Sequence, residues 1–512
     1  MPLPRIRTVR TGSGAVAVQV LWRYAGNSPV LDHVGSAHSD AELALLKAKA
    51  RRLIEGDQLA LDFDVPAQPA ASATKFGSGS EHSPLPVVGE RAGCLLDAIR
   101  GAFQVLGLDV ASGDDQVFYH LVAARIIHPG SKFESIETLA EVGVESASYS
   151  TIKRHLPRYA TELFSDKISA ALAQHAGIGP GVLVLYDVTT LYFETDKEDD
   201  FRKPGFSKER RLEPQVTVGM LTDATGLPLS ISAFEGNRAE THTMLPMIRK
   251  LQEAYSLDDI TVVADAGMFS AANKREVVSA GLGYILGTKE RDIPKVIAAW
   301  RKDNPDTEYT DGQIWRQDTV RTTGSESVTE SVTFYQYSWD RARRSLRGIE
   351  EQVKKAERAV EGKIPVKRNR YVNLKAPNKQ VNHALADKHK ALAGIKGYET
   401  SRTDLSAEQV IGFYRQLFKI EKSFRMAKSD FRARPIYHRK QDSIQAHLTI
   451  VMAAIACGHL LEQRTGKSIK RLVRTLKKYR TIEIEVNGQK FYAQPPLPPE
   501  VDQLIQRLPK PD

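Results

Sequence analysis

Two short apolar runs each stop at an acid, and this constrains the fold more than any other feature of the chain. Val182-Leu-Val-Leu-Tyr186 ends at Asp187, and Ile260-Thr-Val-Val-Ala264 ends at Asp265. Apolar runs of this length, without polar alternation, read as strands buried on both faces of a sheet. Open α/β sheets place their chemistry at the carboxyl ends of such strands. A third acid, Glu421, lies inside a helix-like stretch, 407–428. Three carboxylates meeting at one edge would hold a divalent metal ion.

The pattern around these runs supplies a core. A strand over 181–187 is followed by a polar, acidic loop at 194–209. Strands over 214–222 and 227–235 flank Asp223-Ala-Thr-Gly226, a hairpin signal. A helix over 240–255, a strand over 260–265, a helix over 270–280 and a strand over 283–287 complete it. Three antiparallel strands followed by strands alternating with helices make a mixed five-stranded sheet with flanking helices, an α/β core. In a ribonuclease-H-like arrangement the first and fourth strands run parallel and adjacent, which brings Asp187 and Asp265 together. Between 290 and 395 the rhythm breaks. Residues 307–338 alternate like strands, 339–361 form a charged helix, and 363–381 are basic and irregular. This is a β-rich insertion ahead of the helix with Glu421.

At 512 residues the chain has room for two or three domains. It is 41% hydrophobic and 26% charged, as a soluble globular protein is, and its net charge is +10. The excess is local: residues 411–480 hold 17 Lys and Arg against 4 Asp and Glu, a surplus of 13. A polyanion such as nucleic acid is the matching partner. Cys94 and Cys457 are the only cysteines, which argues against a disulfide framework and a cysteine-built zinc site. His438, His447 and His459 lack helical metal spacing, so no zinc is expected. No signal peptide is evident, and 448–461 is too short an apolar run to span a membrane, so a cytoplasmic protein is expected.

The expected organisation begins with a small β/α unit over 1–65, with strand-like alternation to residue 35 and a helix over 38–55. A Pro-, Ala-, Ser- and Gly-rich linker over 66–88 follows. Residues 89–177 are helical, with helices over 90–107, 114–126, 133–141, 150–158 and 161–175. Ser148-Tyr-Ser-Thr-Ile-Lys-Arg-His155 resembles the start of a helix-turn-helix recognition helix, though an ordinary bundle gives the same pattern; the region is a candidate DNA-end-binding domain. The core occupies 178–289 and 396–462, split by the insertion at 290–395. A basic region, 463–512, closes the chain. Within it Lys467–Arg480 reads as an amphipathic phosphate-binding helix, or as a helix that meets a partner or a membrane surface.

Ser406 and Gln409 form a capping box at the start of 407–428. Tyr414, Glu421 and Lys428 are seven residues apart and so share a stripe that drifts by about 20° per step. A carboxylate and an ammonium two turns apart do not form a local ion pair. They can contact a DNA strand at two points, Glu421 through metal and Lys428 through phosphate. Tyr414-x-x-Leu417-x-x-x-Glu421-x-x-x-x-x-x-Lys428 resembles the Tyr-Arg-Glu-Lys signature of bacterial insertion-sequence DDE transposases. Tyr186-Asp187-Val-Thr-Thr-Leu-Tyr-Phe-Glu194 and Val263-Ala-Asp265-Ala-Gly-Met268 resemble that family's two aspartate motifs, and the run through Arg434, Pro435, Tyr437 and His438 resembles its segment after the glutamate. The resemblance covers about 180–455. The family's arginine position is Leu417 here, with Arg415 or Arg425 as the substitute contact.

The resemblance implies a ribonuclease-H-like core with a mostly β insertion before the glutamate. It implies Asp187, Asp265 and Glu421 as catalytic and metal-binding residues, with two magnesium ions about 3.5–4 Å apart, and manganese able to substitute. It implies cleavage of phosphodiesters at terminal inverted repeats of double-stranded DNA, then attack of the freed 3′-hydroxyl on target DNA, by a homodimer on the bacterial nucleoid, with no membrane partner. Tyr414, Arg415, Arg425, Lys428, Arg434 and His438 are the expected DNA contacts, with Arg432 and Arg439 on the same surface. Trp315 either stacks on a flipped base or packs in a core. Glu194, Asp196, Glu198, Asp199 and Asp200 read as a solvated loop, and Asp223 as hairpin chemistry. Two rival readings stay open: a ribonuclease-H-like nuclease without strand transfer, and a non-catalytic, domesticated DNA-binding protein.

Overall fold

The computed structural model describes the chain except residues 1–4, 11–15, 26–27, 38–42, 44–45, 48, 51–83, 180, 194–197, 206–212, 239–242, 256–258, 324–325, 366–368, 374–379, 432, 434–439, 487 and 512. The described chain forms two compact units, Met1–Leu85 and Pro86–Asp512. In the first, strands β1 (Arg5–Arg10), β2 (Val16–Ala25) and β3 (Ser28–Ala37) make an antiparallel sheet in that order. Most of the helix expected over 38–55, and residues 66–83 of the expected linker, lie outside the described residues.

The second unit opens on β4 (Val87–Arg91) and a run of helices. These are Gly93–Val105, Leu108–Ser112, Gln116–Ile127, Lys132–Glu141, Tyr149–Tyr159 and Glu162–His175. Their starts follow from capping chemistry: Asp115, Ser131, Ser148 and Thr161 each accept a backbone N–H with the side chain. Tyr149–Tyr159 buries Ile152, Leu156 and Tyr159 and packs on the long apolar helix Gln441–Thr465. That long helix is apolar enough to cross a membrane, yet 89% of its most apolar window is buried inside the protein, as in a core helix.

The central sheet contains β5 (Val182–Tyr192), β6 (Gln215–Asp223), β7 (Pro228–Glu235), β8 (Ile260–Ala264) and β9 (Gly283–Gly287). Their order is β9-β8-β5-β6-β7, with β5 parallel to β8 and antiparallel to β6. This mixed sheet with flanking helices is of the ribonuclease-H-like type. The sheet does not stop at five strands. The insertion contributes β10 (Ile314–Thr323) and β11 (Glu326–Tyr337), then the short β12 (Val372–Asn373) and β13 (Gln380–Val381), then β14 (Ile395–Thr400). β14 pairs with β9 and β11 pairs with β14, so β10-β11-β14 extend the sheet to eight strands. The cause lies in β9, whose outer edge is free to pair once the chain returns along it.

Alternation sorts the strand residues into two layers. Leu185, Leu191, Val263 and Ile285 face a cluster with Leu417, Ile420 and Phe424 and the N-terminal helices. Val184, Tyr186, Val262 and Ala264 face the helix Met244–Tyr255 instead. The C-terminal region is more than the expected basic helix. Ile469–Leu476 is followed by the hairpin β15 (Thr481–Val486) and β16 (Gln489–Ala493), and β15 pairs with β4. The chain end then packs on Gly93–Val105, where a Cβ on Gly101 would lie 2.4 Å from the Pro509 carbonyl oxygen.

Candidate active site

The register between β5 and β8 sets the first two acids side by side. Val182 pairs with Ile260 and Leu185 with Val263. Continuing that register, Asp187 and Asp265 occupy matching positions, and by parity both share the face of Leu185 and Val263. Asp265 follows the last residue of β8. Asp187 does not end its strand: β5 continues to Tyr192, because pairing with β6 persists from Asp187 opposite Met220 to Tyr192 opposite Gln215. Asp187 thus marks where the parallel partner stops. Its Oδ1 accepts from the Val188 N–H at 2.8 Å.

Glu421 arrives on the helix Leu417–Arg425, held against that face by buried Leu417, Ile420 and Phe424. The preceding helix, Ala407–Arg415, starts at the Ser406–Gln409 capping box, with both reciprocal bonds formed. The stretch 407–428 is not one helix. It breaks at Gln416 and ends in a π-turn over Met426–Asp430, where the Phe431 N–H reaches the Met426 carbonyl at 2.9 Å. Such turns concentrate at functional sites. The β6–β7 hairpin steadies the glutamate helix. Asp223 accepts from the backbone N–H groups of Thr225 and Leu227, Ser423 Oγ donates to the Gly226 carbonyl at 2.7 Å, and Lys419 Nζ donates to the Ala224 carbonyl at 2.8 Å.

Asp187, Asp265, Glu421, Tyr414 and Lys428 line one cavity of about 600 Å³, with Lys289, Leu417, Arg425 and Ser429 among their neighbours. Tyr414 Oη donates to Asp265 Oδ1 at 3.2 Å. Burial, and next the Asp265 carboxylate, push the Tyr414 phenol well above its usual range. Tyr398 packs edge-on against its ring at 5.1 Å, and Lys396 Nζ lies 5.2 Å from its centroid. Burial draws the Lys396 ammonium below its usual pKa, against the pull of Asp265.

The other expected contacts divide. Arg425 lines the cavity, whereas Arg415 turns away and donates to Gln336 Oε1 at 3.0 Å. Arg434 and His438, with Arg432 and Arg439, lie outside the described residues. Of the two readings of Trp315, base stacking and core packing, the structure shows core packing. Trp315 is 6% exposed and packs against Trp300 at 5.9 Å and Tyr309 at 5.1 Å, beside Ile297 and Tyr335. Burying the indole removes the open face that a base would need. Sequence reasoning missed Lys289, Lys396 and Gly287. Lys289 had a signal, since it follows the strand beside β8; Lys396 had none.

All three acids offer oxygen to one open cavity, a donor set that fits a hard divalent cation. Among the described residues no three His, Cys, Asp or Glu side chains are gathered closely enough to grip a metal ion by themselves.

A ribonuclease-H-like sheet with acids at matching positions of neighbouring parallel strands and on a facing helix defines a class of enzymes that act on polynucleotides. The transposase DDE domain family matches residues 179–457, and the chain belongs to that family. Members of this family generally use divalent metal ions. Similar solved structures include a piggyBac transposase synaptic complex with hairpin DNA, at 12% identity over 74% of this chain and 70% of that chain, TM-score 0.34. A Mos1 transposase paired-end complex with the left transposon end shares 14% identity over 47% of this chain and 66% of that chain, TM-score 0.15. No curated protein matches the chain.

Proposed function

We propose that this transposase cuts double-stranded DNA at the terminal inverted repeats of a bacterial insertion sequence and joins the freed 3′-hydroxyl to target DNA. The observation that carries the reading is the meeting of Asp187, Asp265, Glu421 and Lys428 at one cavity. Asp187, Asp265 and Glu421 would hold two magnesium ions, or manganese in their place, which supply charge neutralisation at the phosphate and an activated attacking oxygen. Tyr414 orients Asp265 through its hydroxyl. Lys428 and Arg425 offer cations to the backbone phosphates on either side of the reacting diester, where they fix the strand's register. Leu417 and Phe424 supply an apolar wall that limits water. In the first step water attacks phosphorus and the bond to the 3′-oxygen breaks; one water proton ends on that oxygen, making the 3′-hydroxyl, and the other leaves the new 5′-phosphate for solvent. In the second that 3′-hydroxyl loses its proton and attacks a target phosphodiester, the bond from that phosphorus to the target strand's 3′-oxygen breaks, and the departing oxygen takes up a proton. Two ends must be held together, which calls for a homodimer on DNA, and the substrate places the protein on the nucleoid.

The test is incubation of the purified protein with linear DNA carrying the element's flanking repeats and a supercoiled target, with and without magnesium. Metal-dependent cutting and joining, both lost in Asp187→Asn, support the proposal. Cutting without joining replaces it by a nuclease, and tight binding without cutting by a DNA-binding protein.

A further inference from the structure

The helix Leu417–Arg425 presents two functional faces. Glu421 faces the catalytic cavity. One residue on, about 100° round the helix, Lys422 lines a second cavity of about 610 Å³. Arg425 lines both cavities. It follows Glu421 by four residues and Lys422 by three, so it neighbours each on the helix surface.

The second cavity sets Lys419, Lys422, Arg425 and Lys467 against Asp430 and Glu462. Both carboxylates are engaged. Asp430 pairs with Lys470 at 3.0 Å, and Glu462 accepts from Lys422 Nζ at 2.6 Å and from the Ile469 N–H at 2.9 Å. His459 adds no charge, because burial holds its pKa below the usual value while its ring meets the Thr225 carbonyl at 3.0 Å. The side chains of Arg425 and Lys467 make no hydrogen bond or ion pair among the described residues. Two unengaged cations thus face a cavity with room for a sugar–phosphate unit. The ligand is an anion, since the charged groups left unengaged are both cations. It belongs to a strand, since Arg425 joins this cavity to the one where DNA is to be cut.

We propose that the second cavity binds a backbone phosphate of the same DNA strand that passes through the catalytic cavity, with Arg425 at the junction and Lys467 on the far side. This rests on the DNA reading above. The experiment is a salt titration of duplex DNA binding by the full-length protein, followed by fluorescence anisotropy, for wild type, Lys467→Ala, Lys467→Glu, Lys467→Arg and Lys428→Ala. Loss of one phosphate contact makes the slope of log K against log salt shallower by about 0.9. Lys467→Ala should show that change, Lys467→Glu at least as much, and Lys467→Arg none. Unchanged slopes in Lys467→Ala and Lys467→Glu, with a shallower one in Lys428→Ala, overturn the second site and leave the DNA reading standing. Absence of salt-dependent DNA binding in wild type overturns both. A parallel calorimetric titration with inorganic phosphate separates the sources: saturable phosphate binding lost in Lys467→Ala, beside an unchanged DNA slope, assigns the cavity to free phosphate and overturns the strand.

Discussion

Gly287 closes β9 beside the Asp265 strand, and its worth is the space that it leaves. A Cβ there would lie 2.3 Å from Tyr414 Oη, 2.6 Å from Tyr414 Cζ and 2.8 Å from Lys396 Nζ. The lysine end can swing aside. The Tyr414 ring is fixed by its helix and by Tyr398, so Gly287→Ala must push its hydroxyl off Asp265. Overpacking costs about 1–3 kcal/mol, and the lost bond to a carboxylate costs about 1.5–3 kcal/mol. The reduced freedom of the unfolded chain returns about 0.4–1 kcal/mol. The net expectation is a destabilisation of about 1.5–5.5 kcal/mol. In a Tyr414→Ala background the ring and its bond are both gone, and Gly287→Ala should become neutral or stabilising by up to about 1 kcal/mol. Urea denaturation of the four proteins closes the cycle, with DNA nicking measured alongside. A cost for Gly287→Ala that agrees in the two backgrounds within about 0.5 kcal/mol would refute the reasoning.

Three further outcomes are expected. Asp187→Asn and Glu421→Gln should each lower cleavage more than about 100-fold, since even the partners behind metal ligands cost 10–100-fold. Both should leave DNA affinity and the melting curve unchanged, and retained cleavage in either removes that acid from the chemistry. Trp315→Ala should destabilise by about 3–5 kcal/mol without weakening DNA binding by the folded protein; weakened binding at unchanged stability would put the ring on DNA. Arg402 donates to Asp404 at 3.0 Å and to Asp259 at 2.6 Å, and its hydrogen bond holds the Asp404 carboxyl below the usual range. A lowered acid contributes stability that is present above its unfolded value, about 3.9, and is lost as pH falls through the folded value. The stability difference between wild type and Asp404→Asn should therefore be flat at neutral pH and shrink below about pH 4; growth on acidification contradicts the pairing.

The acids were legible because each sits where local pattern changes. Asp187 and Asp265 follow dense apolar runs, and Glu421 follows a capping box and a helical stripe, all short-range signals. What joins them was not local. The sheet's extension by β10, β11 and β14 depends on β9 having an unpaired edge, which no period in 307–338 reveals. β4 lies more than 380 residues from its partner β15, and β15 reads as a polar tail because Thr481–Val486 alternates Ile with Glu and is only half-buried. Trp315 stayed open between two readings for a related reason: an aromatic on an alternating strand looks the same whether the opposite layer is DNA or, as here, Trp300 and Tyr309. The break at Gln416 leaves no mark in composition, and the π-turn at Met426–Asp430 leaves only Ser429-Asp430 at its end, which reads equally well as an ordinary helix terminus.

That π-turn explains why the helical region matters to the site. Lys428 lies within it, and the segment is gripped from behind. Arg125, 5% exposed on Gln116–Ile127, donates to the Phe431 carbonyl at 3.3 Å, and His447 on Gln441–Thr465 meets the Ala433 carbonyl at 3.3 Å. Phe431 itself is fully buried, and Gly458 makes room for its ring: a Cβ there would lie 2.8 Å from Cζ. The helices over 93–175 thus share one hydrophobic cluster with Glu421's helix and anchor the turn that aims Lys428. A substitution at Arg125 removes a donor from the Phe431 carbonyl, and the expected result is a shift of the turn that carries Lys428 with no acid altered. The inner face of these helices holds the end of Glu421's helix that carries Lys428 in register with the two aspartates.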